Sequence, residues 1–202
     1  MRTTSLSLPG AGSRGYVRFL YSIWALVYDW TVAWDGAYRG NARSMIEAVV
    51  SEGDRVLDVG VGTGLLAEYG APLAGEYAGV DYSGGMLSKA ASKIASLKLG
   101  NVRLQWADAR NLPFGDGGFD AVVSSFVLPH FAREEKVEIL REMARVLRGG
   151  GRLGLFLAQG EIAPLFSTRE QLEEFLEAAG FAQVRIEDRD DVYRVVTAVK
   201  PA

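Results

Sequence analysis

The sequence predicts an α/β domain built on a doubly wound, mostly parallel sheet with a terminal antiparallel strand and helices on both faces. Three observations predict it. Short apolar runs of strand length alternate with stretches whose apolar residues recur at helical spacing, as parallel βαβ units require. The first run, Val56 to Val59, passes directly into a glycine-rich turn, Gly60-Val61-Gly62-Thr63-Gly64, that opens a helix. The last two runs, near 182–187 and 193–199, are joined only by the charged turn Asp188-Arg189-Asp190-Asp191, too short for a crossover, so they pair antiparallel.

Residues 1–13, with Ser, Thr, Gly and one Pro, read as a loose tail. Residues 15–34 suggest one or two short helices crowded with Tyr16, Phe19, Tyr21, Trp24, Tyr28, Trp30 and Trp34. Residues 1–37 are therefore expected to form a tail and an aromatic cap or lid, and 38–202 the main domain. A helix over 38–51, with Met45, Ile46, Val49 and Val50 on one face, ends near Gly53. The strand at 56–59 follows, then a helix over 63–70 stopped by Pro72. A second strand (76–81, EYAGVD) leads to a helix from Ser83 to about Lys98, with Leu87, Ala90, Ile94 and Leu97 inward and Gly100 closing it. A third strand (102–106, VRLQW) runs into Ala107-Asp108-Ala109. A strand at 119–124, a helix at 132–148 with Val137, Leu140, Ala144 and Leu147 inward, and a strand at 152–158 complete the alternation. A helix from Thr168 to about Ala179 precedes the antiparallel pair.

The 202 residues, 49% hydrophobic, suit one compact domain. A net charge of −3 without a concentrated Lys/Arg run argues against a nucleic-acid surface, which needs a basic stripe to displace counterions. With no cysteine and one histidine, disulfides, thiolate nucleophiles and Cys- or His-based metal sites are excluded; any metal would be carboxylate-bound, and none is expected. The stretch Leu6 to Leu8 is too short for a secretory signal, so a cytoplasmic location is expected. The uncharged residues 19–28, bounded by Arg18 and Asp29, fall short of the roughly 20 needed to span a bilayer.

Chemistry concentrates at strand ends. Gly60, Gly62 and Gly64 supply the positive φ angles of a sharp strand-to-helix turn and let backbone approach a ligand. Asp58, two residues earlier, would place a carboxylate in the crevice at the carboxyl end of its strand, where open α/β sheets bind ligands and where a cation would suit it. Asp81 ends the second strand 21 positions beyond Gly60, about where an acid reaches ribose hydroxyls. Asp108 follows the third strand. Three acids ending successive strands beside one crevice are more than surface decoration.

The segments VLDVGVGTG (56–64), VDYSGGML (80–87), WADARNLPFGDGGFDAVVSSFVLPHF (106–131) and LREMARVLRGGGRLGLF (140–156) together resemble the class I S-adenosylmethionine-dependent methyltransferases, in particular the small-molecule and quinone- or lipid-methylating group. The resemblance covers roughly residues 40–200. It implies a Rossmann-like sheet, S-adenosylmethionine as cofactor, and methyl transfer to a small apolar or aromatic acceptor: a quinol, phenol, lipid or amine.

The resemblance also implies roles. Gly60, Gly62 and Gly64 would lie along the methionine part of the cofactor, Asp58 would hold its α-amino group, and Asp81 the ribose hydroxyls. Tyr82 would stack on adenine, although ordinary packing explains an aromatic there equally well. Asp108 would accept from the adenine amino group while the Ala109 amide donates to a ring nitrogen. The backbone of Ser124 and Ser125 would face the methionine moiety; the plain alternative for Ser124 is a hydroxyl bonded to nearby backbone. His130 is a candidate base for deprotonating an acceptor, or a histidine capping backbone after Pro129. Tyr16, Trp24 and Tyr28 would line the acceptor pocket, or with the other cap aromatics simply cover one edge of the sheet. The cap suits an apolar acceptor met at a membrane surface without crossing it; a monomer or weak homodimer is expected. Two other functions fit the residues less fully: a non-catalytic S-adenosylmethionine-binding protein, and a nicotinamide-dependent oxidoreductase, which would leave Asp58, Asp108 and the terminal strand pair unexplained.

Overall fold

The computed structural model describes residues 36–159 and 167–202. In chain order these form α1 (Gly36–Val49), β1 (Arg55–Val59), α2 (Leu65–Gly70), β2 (Glu76–Asp81), α3 (Gly84–Ser96), β3 (Val102–Trp106), β4 (Phe119–Ser125), a single 3-10 turn (Leu128–His130), α4 (Arg133–Val146), β5 (Leu147–Ala158), α5 (Arg169–Ala178), β6 (Ala182–Arg189) and β7 (Tyr193–Val199). The expected cap, with Tyr16, Trp24 and Tyr28, lies outside the described residues.

The strands make one sheet in the order β3-β2-β1-β4-β5-β7-β6. β1 pairs in parallel with β2 on one side and β4 on the other, so the strand order reverses at β1 and a crevice opens above its carboxyl end. β7 is antiparallel to both β5 and β6. The last strand in the chain is thus antiparallel as expected, but it sits inside the sheet, with β6 at the edge.

Both faces of the sheet are covered. On one, Val56, Tyr77, Ala121, Val123, Phe156 and Val195 pack with Tyr38, Ala42, Met45, Ile46 and Val49 of α1 and Leu66 and Ala67 of α2. The α1 residues recur every three or four positions, which is why this segment forms one amphipathic helix. On the other face Leu57, Val59, Val80, Val122, Leu153, Leu155 and Val196 meet Ile139, Leu140 and Met143 of α4 and Leu172, Phe175 and Leu176 of α5. Strands buried on both faces account for the unbroken apolar runs of the sequence.

Local chemistry sets the helix ends. The Ser83 hydroxyl accepts from the Met86 amide (3.3 Å) to cap α3. Thr168 and Gln171 form a reciprocal capping box on α5, Gln171 Oε1 accepting from Thr168 N at 3.0 Å and Thr168 Oγ1 from Gln171 N at 3.3 Å. Three expectations need correction. Leu97, expected inward on α3, is exposed, while Met86 is buried there with Ala90 and Ile94. α3 is closed by Lys98, which itself takes the left-handed conformation (φ 58°), while the Leu99 amide donates back to Ile94; Gly100 lies beyond. β5 starts at Leu147, opposite Phe119, rather than at 152, because the Gly149 to Gly151 run carries a register shift that leaves the strand paired on both sides of it.

Candidate functional site

The glycine turn between β1 and α2 has the predicted conformation: Gly60, Gly62 and Gly64 have φ of 75°, 55° and 86°. Their reasons differ. A Cβ on Gly60 would lie 2.1 Å from a Val127 methyl, so this glycine admits the loop after β4. At Gly62 the nearest atom to a Cβ among the described residues is a carbonyl oxygen 3.9 Å away, which leaves this glycine open for a ligand to approach its backbone. The Gly60 and Val61 amides both donate to the Val80 carbonyl (2.8 and 2.9 Å), tying the turn to β2.

Asp58 is fully buried. Its Oδ2 accepts from the Tyr77 hydroxyl at 3.0 Å, while its Oδ1 has no hydrogen-bond partner among the described residues. Burial pushes its pKa up to about 7, opposed by the Tyr77 hydrogen bond and reinforced by the charge of Asp81. A buried carboxylate oxygen with nothing to accept from is costly, and a cationic ligand group would remove that cost.

Asp81 holds the turn as well as facing the crevice. Its Oδ2 accepts from the Gly62 amide (2.9 Å) and its Oδ1 from the Ser83 amide (2.8 Å). Burial raises its pKa, and backbone N–H groups of Ser83, Gly62 and Tyr82 oppose the rise. A carboxylate offers about four acceptor positions, so these three backbone donors leave one for an incoming hydroxyl. Beside it the Tyr82 ring lies 5.1 Å from the ring of Trp106, whose indole N–H donates to the Tyr82 carbonyl at 2.9 Å. Trp106 was not singled out from the sequence, yet it pairs in register with Asp81 and is exposed beside Tyr82. Its place as the last residue of β3 was the available signal.

Asp108 is gripped by Arg110. Its Oδ1 accepts from Arg110 N and Nε, both at 3.0 Å, and its Oδ2 from Arg110 Nη2 at 2.7 Å. The same guanidinium donates to Glu135 of α4 at 2.6 Å and lies 5.8 Å from the Phe131 ring. An adenine amino group at Asp108 would therefore share a carboxylate already oriented by a bidentate ion pair. Ala109 is partly buried against the core beneath it. Arg110 was missed because nothing in a single sequence separates it from a solvated arginine.

At the end of β4, Ser124 Oγ donates to the Val59 carbonyl at 2.7 Å, the backbone-bonded role foreseen as its plain alternative. Ser125 Oγ is buried without a partner. Phe126 follows with φ 56°, a conformation that costs a bulky residue of order 1–3 kcal/mol and that gathers at functional sites. Its amide donates to the Phe156 carbonyl (2.9 Å), and its ring packs with Tyr38 and Phe156 at 5.6 and 5.3 Å. His130 closes the 3-10 turn and is exposed. Desolvation by the atoms packed around the ring lowers its pKa, and a hydrogen bond with the Phe126 backbone opposes the shift. An imidazole neutral at pH 7 can accept a proton.

The structure thus gathers Asp58, the three glycines, Asp81, Tyr82, Asp108, Ala109, Ser124, Ser125 and His130 at the carboxyl ends of β1 to β4 and the loops that follow. Among the described residues no cluster of three or more His, Cys, Asp or Glu could hold a metal, and no helix is long and apolar enough to cross a membrane. Two buried polar atoms without partners, on Asp58 and Ser125, flank a turn in which one glycine faces open space. That set fits a ligand carrying a cationic group and hydroxyls.

The family profile described as "Methyltransferase domain" matches residues 56–151. A phosphatidylethanolamine N-methyltransferase from Cereibacter sphaeroides is 40% identical over 144 residues, 70% of this chain and 64% of that protein. The ubiquinone/menaquinone biosynthesis C-methyltransferase UbiE of Azotobacter vinelandii is 41% identical over 108 residues, 52% of this chain and 42% of that protein. The chain therefore spans less than two thirds of either relative. Among solved structures, the [4+2]-cyclase SpnF superposes with a TM-score of 0.83 at 22% identity, covering 96% of this chain and 98% of that one.

Proposed function

We propose that the chain is a class I S-adenosylmethionine-dependent methyltransferase that moves a methyl group by in-line displacement to a small apolar or aromatic acceptor. The observation that carries this reading is the pairing of a buried, unpartnered Asp58 oxygen with the open face of Gly62 at the point where the strand order reverses.

When bound, S-adenosylmethionine supplies a methyl group already activated on a sulfonium. The protein's own part is to bind, orient and exclude water. Asp58 would hold the α-ammonium. Gly62 would keep a side chain out of the way of the methionine part, Gly60 makes room for Val127 behind the turn and Gly64 for α3, and Asp81 would accept from the ribose hydroxyls while fixing the turn through Gly62. Tyr82 would cover the adenine, with Trp106 supporting its ring. Asp108, oriented by Arg110, would accept from the adenine amino group, and the Ala109 amide would donate to the ring. Ser125 brings a hydroxyl without a partner to the methionine side, next to Ser124. His130, neutral at pH 7, would take the proton of an acceptor that must lose one. Tyr16, Trp24 and Tyr28 would line the acceptor pocket.

Relatives named for a lipid amine and for quinone biosynthesis support an acceptor in the quinol, phenol, lipid or amine range, met by a peripheral protein at a membrane surface. The [4+2]-cyclase SpnF superposes well, so the fold alone does not select the reaction. Calorimetric titration with S-adenosylmethionine, S-adenosylhomocysteine and NAD, followed by turnover against quinols, phenols, amines and phosphatidylethanolamine vesicles, tests the proposal. Binding of the first two ligands with methylated product supports it. Binding without turnover on any acceptor would favour a sensor role, and a response to NAD alone would overturn the reading.

A further inference from the structure

Tyr77 lies at a position where the fold asks only for an apolar side chain. It is 1% exposed, belongs to the core between the sheet and α1 and α2, and would pack equally well as phenylalanine. Its hydroxyl instead reaches Oδ2 of Asp58 at 3.0 Å, with both groups buried. The register explains the contact. Asp58 pairs with Gly79, and Tyr77, two residues earlier on β2, projects from the same face of the sheet. The fold also makes room for the ring: a Cβ on Gly70, the last residue of α2, would lie 2.7 Å from Tyr77 Cε2. One carboxylate oxygen is thus tied, and the other is left buried with no partner beside the glycine turn.

We propose that Tyr77 is a positioning residue for the cofactor: its hydroxyl pins Oδ2 of Asp58 and so presents Oδ1 to the α-ammonium of S-adenosylmethionine. This rests on the assignment of Asp58 made above. The hydrogen bond has a second effect. Two groups act on the charge of Asp58: Tyr77 favours the ionised carboxylate, and Asp81 disfavours it, as does burial. Tyr77 therefore helps to keep Asp58 in the form that binds a cation.

The test compares two ligands on the wild type and on Tyr77→Phe, which keeps the ring: S-adenosylhomocysteine, which carries the ammonium, and 5′-methylthioadenosine, which lacks the amino-acid part. Calorimetric titrations run from pH 6 to 8.5, with circular dichroism to verify folding. Tyr77→Phe should weaken S-adenosylhomocysteine about tenfold or more and leave 5′-methylthioadenosine within about twofold, since only the charged contact is lost. The pH at which S-adenosylhomocysteine affinity is half lost should move upward. In an Asp58→Asn background, adding Tyr77→Phe should change S-adenosylhomocysteine affinity little. Equal losses for both ligands, an unmoved pH midpoint, or full additivity with Asp58→Asn would overturn the role of Tyr77 while leaving the cofactor assignment intact. A wild type that binds neither ligand would overturn both.

Discussion

Replacing Asp58 by asparagine should make the ligand-free protein more stable at pH 8 while abolishing tight cofactor binding. In the folded state the Asp58 carboxyl titrates at about 7 against an ordinary value of 3.8, chiefly because it is buried. A group whose pKa is raised on folding leaves stability untouched below the unfolded value. It then removes stability as pH rises toward the folded value, because the unfolded chain ionises first. The loss amounts to roughly 1.5 kcal/mol at pH 5 and saturates near 4 kcal/mol above pH 7, at about 1.4 kcal/mol for each pH unit between the two values. Asparagine keeps an oxygen for the Tyr77 hydroxyl and has no charge, but it buries an amide whose unmet hydrogen bonds cost roughly 1–3 kcal/mol. That cost does not vary with pH. The difference in unfolding free energy between variant and wild type should therefore grow by about 2–2.5 kcal/mol from pH 5 to pH 8, whatever its absolute level. Urea unfolding of both proteins at pH 5, 6, 7 and 8 measures it. A difference that stays flat across this range would show that Asp58 is not held protonated by burial, and the case for an unsatisfied carboxylate awaiting a cation would fall with it.

Gly60→Ala should destabilise the fold by roughly 2–4 kcal/mol, the sum of a left-handed backbone and a methyl group driven into Val127, whereas Gly62→Ala should cost only the backbone strain yet impair cofactor binding more than its stability loss explains. Denaturant unfolding set beside titration with S-adenosylhomocysteine separates the two, and a Gly62→Ala protein of normal affinity would remove that glycine from the site. Asp81→Ala should weaken S-adenosylhomocysteine by roughly 1–3 kcal/mol, because hydroxyls lose a charged acceptor and the Gly62 and Ser83 amides lose theirs; unchanged affinity in a folded variant refutes the ribose assignment. If His130 acts as a base, activity toward a phenolic acceptor should fall as pH drops through a value below 6.5, and His130→Gln should abolish that acid limb. An identical pH profile in the variant would assign His130 to structure.

Much of the fold was legible in the sequence because its signals are local. β2 spans 76–81 and β3 spans 102–106, as their β-branched and aromatic runs between turn residues indicate. The serine and threonine caps of α3 and α5 stand where the sequence places them. The positive φ of all three turn glycines was also foreseeable, since the strand-to-helix angle demands it. Less legible were features set by contacts between distant segments. Phe126 gives no sign in the sequence of a left-handed backbone, which follows from its amide bond to Phe156 and its ring contact with Tyr38.

The amino-acid sequence by itself determined that an acid ends each of β1 and β2 and closely follows β3 beside a glycine turn, because strand length, turn chemistry and alternation act within a few residues. Only the tertiary structure decided what each acid does in the folded protein. Asp58 meets Tyr77, Asp81 meets the amides of Gly62 and Ser83, and Asp108 meets Arg110, which itself reaches Glu135 of α4. Gly60 yields its space to Val127, while Gly62 keeps its own open. The Ser83 and Arg110 bonds reach only two residues along the chain, but Tyr77, Gly62 and Glu135 are brought in from distant segments by strand order and packing, and so the tertiary structure decides which carboxylate oxygen remains without a partner and ready for a ligand.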